Sequence, residues 1–143
     1  MNDYPNRPLI GVGVVVFKDD RVLLIRRGKP PREGQWSLPG GRQRLGERIE
    51  EAACREVREE ADIEIAVGAL LDVVDSITRD AGGGVQYHYT LVDFVAEWQA
   101  GEVQAGHDAA EVAWADPADL APYGLWDETE RIIALAQDKR GNR

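Results

Sequence analysis

The chain has 143 residues, of which 43% are hydrophobic and 30% are charged, as is typical of a water-soluble globular domain. Its formal net charge of −9 argues against a protein that binds nucleic acid or anionic membranes through overall charge. The single cysteine, Cys54, excludes an internal disulfide, and no apolar run is long enough to cross a membrane, so we expect a cytoplasmic location.

Apolar and β-branched runs predict strands, and clusters of Gly, Pro and Asp predict the turns between them. Five runs have this strand-like composition: 9–18, 21–27, 63–78, 85–98 and 111–115. The first two predict one hairpin, and the segment from residue 70 to residue 98 predicts another. Two segments without such breaks predict helices, from Glu47 to Ala61 and at about 128–138. Strands and helices that follow one another in this order predict a single α/β or α+β domain over residues 1–143.

The first predicted helix carries three glutamates on one face. Glu56, Glu59 and Glu60 are spaced i, i+3 and i+4, so their side chains project to the same side of a helix. An apolar stripe that includes Ala53 and Val57 faces elsewhere, towards a core. Three convergent carboxylates repel one another, and they are the oxygen ligands that Mg²⁺ and Mn²⁺ prefer. The spacing therefore predicts a divalent-metal site, whose cations would offset the repulsion.

The alternative interpretation is a solvated acidic face, stabilised by i,i+4 ion pairs such as Glu51 with Arg55. The charge distribution is compatible with both interpretations. Residues 1–55 carry 11 basic and 7 acidic side chains, whereas residues 56–130 carry 2 basic and 18 acidic ones. A basic first third followed by an acidic middle suits an anionic substrate held with divalent cations, and it also suits an acidic surface.

The segment around this helix resembles the signature of the Nudix hydrolases. Residues 41–63, GRQRLGERIEEAACREVREEADI, match the defined positions of that signature, the Nudix box, at Gly41, Glu47, Arg55, Glu56, Val57, Glu59, Glu60 and Ile63. Asp62 replaces the late glycine of the box. We expect Asp62 to adopt the left-handed conformation common just after a helix, at a small cost in stability and without effect on the chemistry.

The resemblance implies an α/β/α sandwich, in which a mixed, curved sheet lies between helices. It also implies a Nudix box that binds divalent metal and the diphosphate of a substrate. The implied metal ligands are Glu56, Glu59, Glu60 and the backbone carbonyl of Gly40, with Mg²⁺ as the metal and Mn²⁺ as a substitute. Glu56 would also assist proton removal from the attacking water, so the implied catalytic set includes Glu56 and Glu59.

The remaining implied roles concern residues around these ligands. Arg55 would orient a box glutamate through a charge-assisted hydrogen bond, and Glu47, placed early in the helix, would support the loop or an outer metal. Relatives often use a further acid from outside the box. We expect Asp108 in this role, and the alternatives are Glu111, Glu97 and Glu102. The candidate phosphate-binding residues are Gly41, Arg26, Arg27 and Arg42, for whose side chains a solvated role is the alternative.

The resemblance favours hydrolysis of a nucleoside diphosphate linked to another moiety. The chain is most similar to the ADP-ribose pyrophosphatase-like group, so we expect ADP-ribose or a related nucleotide sugar as the substrate. The alternatives are a (d)NTP pyrophosphohydrolase of the mutator type, which sanitises the nucleotide pool, and a non-catalytic nucleotide-sensing domain. We expect no nucleic-acid or membrane partner, and a homodimer through the aromatic strand at 85–98 stays open.

Overall fold

The computed structural model describes residues 3–30, 32–106 and 108–141. The elements follow in chain order: β1 (Leu9–Lys18), β2 (Arg21–Arg27), β3 (Trp36–Ser37), β4 (Gly40–Arg42), α1 (Ile49–Ala61), β5 (Glu64–Arg79), β6 (Val85–Ala100), β7 (Ala109–Ala115), a 3₁₀ turn (Ala121–Tyr123) and α2 (Asp127–Gly141). All five predicted strands are present, and β3 and β4 are added to them.

The strands form one mixed sheet in the order β3-β2-β1-β6-β5, with β4 paired to β1 and β7 paired to β2. β1 and β6 are parallel, and every other pair in the sheet is antiparallel. β1 lies in the interior of the sheet, where both faces are covered. Its run of valines is therefore buried without interruption from Gly11 to Phe17.

The sheet forks between β1 and β2. These strands pair only beside their turn, at Phe17 with Val22 and at Lys18 with Arg21. Farther from the turn, β4 pairs with β1 and β3 pairs with β2. The two short strands fill the opening of the fork, and β4 brings its glycines to the segment that leads into α1.

The two helices cover opposite faces of the sheet, so the predicted α/β/α sandwich is confirmed. α1 packs against one face through Ala52, Ala53, Val57 and Ala61, which are all fully buried. α2 packs against the other face through a second apolar cluster, which includes Ile132, Ile133 and Ala136. Small alanine side chains on α1 let this helix approach the sheet closely.

The boundaries of α1 differ from the prediction at one end. α1 begins at Ile49 rather than at Glu47, because the Glu51 carboxylate accepts a 2.8 Å hydrogen bond from the Arg48 N–H and caps the helix there. At the other end, Asp62 adopts φ 59° and ψ 37°, which is the left-handed conformation predicted for it.

The later elements also extend beyond their predicted limits. The β5–β6 hairpin begins at Glu64 and ends at Ala100, and α2 spans Asp127–Gly141 rather than about 128–138. Among the described residues, no helix is long and apolar enough to cross a membrane.

Candidate active site

The glycines of β4 lie directly against the glutamates of α1. The Gly40 N–H donates a 2.8 Å hydrogen bond to the carboxylate of Glu60, whose residue is only 9% exposed. A Cβ atom at Gly41 would overlap the carboxylate of Glu56. Only glycine at position 41 leaves that space open, so the Gly-Gly pair lets two carboxylates rest on the backbone of β4.

Arg55 connects α1 to the loop before it. Its Nη1 donates to Glu56 Oε1 at 2.6 Å, its Nε donates to Glu47 Oε2 at 2.7 Å, and its Nη2 donates to the Arg42 carbonyl at 2.8 Å. The hydrogen bond from Arg55 lowers the pKa of the Glu47 carboxyl to about 2, and the same pair raises the pKa of Arg55. Arg55 is therefore charged at any working pH, and it fixes the orientation of Glu56.

Glu47 lies in the loop, not early in the helix as expected. Its Oε1 accepts a 3.0 Å hydrogen bond from the Arg44 N–H, and Oε1 and Oε2 both face Arg55. The Glu47 side chain bonds to its own loop, and the backbone of Glu47 lies before the first turn of α1. Glu47 therefore links the Arg55 side chain to the loop backbone at Arg44.

Burial and mutual repulsion act on the carboxylates that face β4. Burial raises the pKa of Glu60 to about 8; the Gly40 hydrogen bond opposes this rise, and the charge of Glu56 adds to it. Burial also raises the pKa of Glu56, although Arg55 opposes the change. Glu60 is buried and Glu56 is half-buried, and their carboxylates repel each other as neighbouring anions. Carboxylate oxygens of this kind are the ligands that a hard divalent cation binds.

Glu59 is directed differently from the other two box glutamates. Its carboxylate lies 3.4 Å from both Arg44 and Arg55, and its side chain is 28% exposed. Within residues 3–30, 32–106 and 108–141, no three Asp, Glu, His or Cys side chains are close enough together to hold an ion. The structure therefore brings Glu56 and Glu60 to β4, and Glu59 would need to turn from its arginines to join them.

Asp108 lies at the end of α1 that carries Glu60. The loop before β7 packs there, because the Gly106 N–H donates to the Glu60 carbonyl at 3.1 Å. The Asp108 carboxylate forms a 2.9 Å ion pair with Lys29, and its charge contributes to the raised pKa of Glu60.

The other candidate acids are placed less favourably. Glu111 forms a 2.9 Å ion pair with Arg26, and Glu97 forms a 2.8 Å ion pair with Arg140 of α2. Glu102 is exposed in the turn after β6. Of the four acids considered outside the Nudix box, Asp108 is the one whose charge acts on Glu60.

A cavity of about 240 Å³ lies on the other side of β4, on the α2 face of the sheet. Its walls come from β1, β4, β5, β6, the first turn of α2 and the segment before β4. Gly40, Gly41, Arg27 and Arg42 line it, whereas Arg26 is held outside by Glu111. The cavity and the carboxylates are therefore neighbours across a three-residue strand.

Several residues that line this cavity are not among the predicted site residues. Trp126 stands at the start of α2, and the Arg32 guanidinium lies 5.7 Å from its ring and donates to the hydroxyls of Ser76 and Thr78 at 3.3 Å. Asp93 of β6 is only 4% exposed. The available signal for Asp93 was a lone charge within the apolar run LVDFVA.

Residues 7–136 match the family model described as NUDIX domain. The chain belongs to the Nudix family. The resemblance read from residues 41–63 is thereby confirmed, and the chain is a Nudix hydrolase, an enzyme class that acts on phosphorus-containing acid anhydrides. Nudix hydrolases generally use divalent metal ions and act on small nucleotide derivatives.

Two relatives illustrate the similarity in sequence. The chain is 38% identical over 126 residues to an ADP-ribose pyrophosphatase of Methanocaldococcus jannaschii, covering 88% of this chain and 71% of that protein. It is 33% identical over 107 residues to the nucleoside triphosphatase NudI of an Escherichia coli O17:K52:H18 strain, covering 71% of this chain and 76% of that protein.

Two solved structures illustrate the similarity in fold. A MutT NUDIX hydrolase from Burkholderia pseudomallei superposes with a TM-score of 0.79 at 32% identity, covering 91% of this chain and 98% of that one. The NUDIX domain of Shewanella oneidensis NrtR, solved with ADP ribose, superposes with a TM-score of 0.74 at 26% identity, covering 94% and 90%.

Proposed function

We propose that this Nudix hydrolase cleaves the diphosphate linkage of ADP-ribose or a related nucleotide sugar with the help of Mg²⁺. The observation that carries the proposal is the packing of Glu56 and Glu60 on the Gly40–Gly41 backbone, which also borders the cavity. A cavity of about 240 Å³ is near the small end of ligand sites and suits part of a nucleotide. The name of the Methanocaldococcus jannaschii relative and the ligand of the NrtR domain support ADP-ribose.

The proposed metal ligands are Glu56, Glu59, Glu60 and the carbonyl of Gly40. Their donor set fits a hard divalent cation, because burial and like charge make Glu56 and Glu60 poor anions without one. Bound Mg²⁺ would neutralise charge on the diphosphate and make water a better nucleophile.

Other residues would position the metal ligands, accept a proton and contact the phosphates of the substrate. Arg55 holds Glu56 in a fixed orientation through its 2.6 Å contact, and Glu47 holds Arg55. Glu56 is placed to accept a proton from the attacking water, with Asp108 as the further acid. Arg27, Arg42 and the backbone at Gly41 would contact the phosphates between the cavity and the carboxylates, and Arg26, paired with Glu111, is the weaker candidate.

In the proposed reaction, water adds to one phosphorus of the diphosphate and the bond to the bridging oxygen breaks. With ADP-ribose, the products are AMP and ribose 5-phosphate. The leaving phosphate departs as an anion, and the proton of the attacking water passes to a carboxylate.

A (d)NTP pyrophosphohydrolase of the mutator type is the second candidate. The name of the NudI relative supports it, and its products would be a nucleoside monophosphate and pyrophosphate. A non-catalytic nucleotide sensor is less favoured, because all box glutamates are present. The single domain over 1–143, the homodimer, the absence of a nucleic-acid partner and the cytoplasmic location stay predictions.

A substrate panel with Mg²⁺ tests the proposal. It would contain ADP-ribose, nucleotide sugars, dinucleoside polyphosphates and each (d)NTP, with products separated by chromatography. Glu59→Gln removes a proposed ligand, and Glu50→Gln is the matched control, because Glu50 is exposed on the same helix. We expect hydrolysis of ADP-ribose that Glu59→Gln abolishes and Glu50→Gln retains. Turnover of nucleoside triphosphates alone would favour the second candidate, and tight binding without turnover would favour the sensor.

A further inference from the structure

Asp93 lies on the wall of the cavity, in line with the glycines of β4. In the sheet, Asp93 is the register partner of Gly13, and Gly13 is the register partner of Gly40. A Cβ atom at Gly13 would overlap the Asp93 carboxylate, so this carboxylate leans over β1 towards β4. Adjacent strands are about 4.8 Å apart, which puts Gly40 roughly 10 Å from Asp93 across the sheet.

The Asp93 carboxylate is held in the sheet without a hydrogen-bond donor from the described residues. No ion pair to it is formed within residues 3–30, 32–106 and 108–141 either, although the residue is only 4% exposed. Arg131, the cation whose charge acts on Asp93, is bound by Asp72 at 3.0 Å and by Glu128 at 2.7 Å. Because no fully enclosed side-chain oxygen of the described residues lacks a hydrogen-bond partner, the Asp93 oxygens are accessible from the cavity, where a ligand could donate to them.

Such a group is costly to the fold. Burial, with the charge of Asp72 as a further cause, raises the pKa of Asp93 to about 6, and the charge of Arg131 opposes this rise only in part. Costs of this kind are typical of sites where a ligand supplies the missing partners. The ligand group must donate hydrogen bonds and cannot be the phosphate itself, since two anions would repel.

The arrangement of side chains along the cavity indicates which group of a bound nucleotide would donate hydrogen bonds to Asp93. The cationic and aromatic end, with Arg32 and Trp126, lies beside Ser76 and Thr78 of β5. Asp93 lies at the opposite end, where its row leads through Gly13 to β4. A nucleotide with its phosphates at β4 and its base among the aromatic rings would have its sugar next to the phosphates, so the sugar hydroxyls would be the hydrogen-bond donors nearest to Asp93.

We propose that Asp93 is a substrate-binding residue that accepts hydrogen bonds from ribose hydroxyls, so that the enzyme selects ribose-containing substrates over their 2′-deoxy forms. This inference rests on the proposed function for the position of the diphosphate. It adds a specificity determinant on the α2 face of the sheet, away from the Nudix box.

The test compares ADP-ribose with its two monodeoxy forms, each of which lacks the 2′-hydroxyl of one ribose. We expect the wild-type enzyme to lose about 10- to 100-fold in kcat/KM on one of them, mainly through KM, as for a hydrogen bond to a charged group. Asp93→Ala should lower kcat/KM for ADP-ribose by a similar factor and no longer distinguish the two sugars. Asp93→Asn keeps the shape of the side chain and one acceptor oxygen. Its kcat/KM for ADP-ribose should lie between those of the wild-type enzyme and Asp93→Ala.

Asp75→Asn is the matched control, because Asp75 is an exposed carboxylate on the neighbouring strand whose side chain points away from the cavity. It should keep the wild-type preference. Full retention of the preference by Asp93→Ala, or the absence of any preference in the wild-type enzyme, would overturn the inference while leaving the proposed function intact.

A wild-type enzyme that does not hydrolyse ADP-ribose would instead contradict the proposed function. The inference is then tested by binding alone, through the thermal shift that ATP and dATP produce in the presence of EDTA. A larger shift with ATP that disappears in Asp93→Ala would support it, and equal shifts in the wild-type protein would overturn it.

Discussion

The Gly40 N–H donates a 2.8 Å hydrogen bond to the carboxylate of Glu60, and this bond joins the short strand β4 to the helix of glutamates. It satisfies only one of the acceptor sites of a carboxylate that is nearly inaccessible to water. The negative charge of Glu56 further raises the pKa of Glu60. The structure thus holds a carboxylate pair whose ionised form is disfavoured until a cation binds.

Replacing Glu60 by Gln should stabilise the metal-free protein and abolish hydrolysis. The amide oxygen of Gln can still accept the Gly40 hydrogen bond, while the cost of a buried, repelled carboxyl disappears. We expect the free energy of unfolding in EDTA to rise by roughly 1–3 kcal/mol, measured by urea denaturation. A loss of stability in EDTA, with activity retained, would contradict this view of the site.

Gly41→Ala should damage the site without replacing any proposed metal ligand. The new methyl group would overlap the Glu56 carboxylate, which must then move from its 2.6 Å contact with Arg55. We expect kcat to fall about 100-fold, as for a displacement of about 1 Å, and stability to fall by about 1–3 kcal/mol from overpacking. Gly82→Ala in the β5–β6 turn is the control, because a Cβ atom there meets only Asp80 at 3.6 Å. Equal kinetics for both variants would contradict the prediction.

Asp62 permits a test of backbone conformation alone. Its φ of 59° favours glycine, which the Nudix box has at this position. We expect Asp62→Gly to be more stable than wild type by about 0.5–1 kcal/mol and Asp62→Ala to be less stable by a similar amount. Thermal unfolding measures the order, and kcat/KM should be unchanged in both variants. If Asp62→Ala were more stable than Asp62→Gly, the left-handed backbone at this position would not be what determines stability.

Much of the fold could be predicted from local sequence, because its longest elements have clear patterns. The valine run of β1, the turn at Asp19 and Asp20 and the alanine-rich stripe of α1 all specify their structure over short distances. β3 and β4 could not be predicted, since strands of two and three residues exist only through pairing with β2 and β1. The start of α1 was wrong by two residues because side-chain capping by Glu51 decided it.

The candidate site could likewise be predicted from the sequence only in part. The spacing of the Nudix box placed Glu56 and Glu60 correctly relative to each other, because one helix carries both. The direction of Glu59 towards Arg44 depends on a loop contact that spacing does not encode. Asp93 escaped notice because its partner residue is Gly13, 80 residues earlier, and the cavity between β6 and α2 has no local signature.

Asp93 should make stability depend on pH in a predictable direction. Below about pH 4 the Asp93 carboxyl is protonated in both the folded and the unfolded state, so it does not lower the free energy of unfolding. Between pH 4 and 6 the unfolded chain loses this proton first, so the folded state is progressively disfavoured as pH rises, and above about pH 6 the whole cost is present. Asp72, Glu128 and Arg131, the charged groups that act on Asp93, are unchanged by Asp93→Asn.

We therefore expect the stability advantage of Asp93→Asn over wild type to grow by roughly 2–3 kcal/mol between pH 4 and pH 7. Urea denaturation at pH 4, 5, 6 and 7 measures it. A difference between the two proteins that is constant across this range would contradict a buried carboxylate without a partner.

The most direct measurement is the rate of AMP release from ADP-ribose with saturating Mg²⁺, in Glu56→Gln beside Glu50→Gln. Both substitutions remove one carboxylate from α1, but only Glu56 faces β4 and Arg55. We expect Glu56→Gln to lose about 10²- to 10⁴-fold in kcat, while Glu50→Gln matches the wild-type rate. Equal rates for the two variants would show that hydrolysis does not depend on the carboxylate pair at β4.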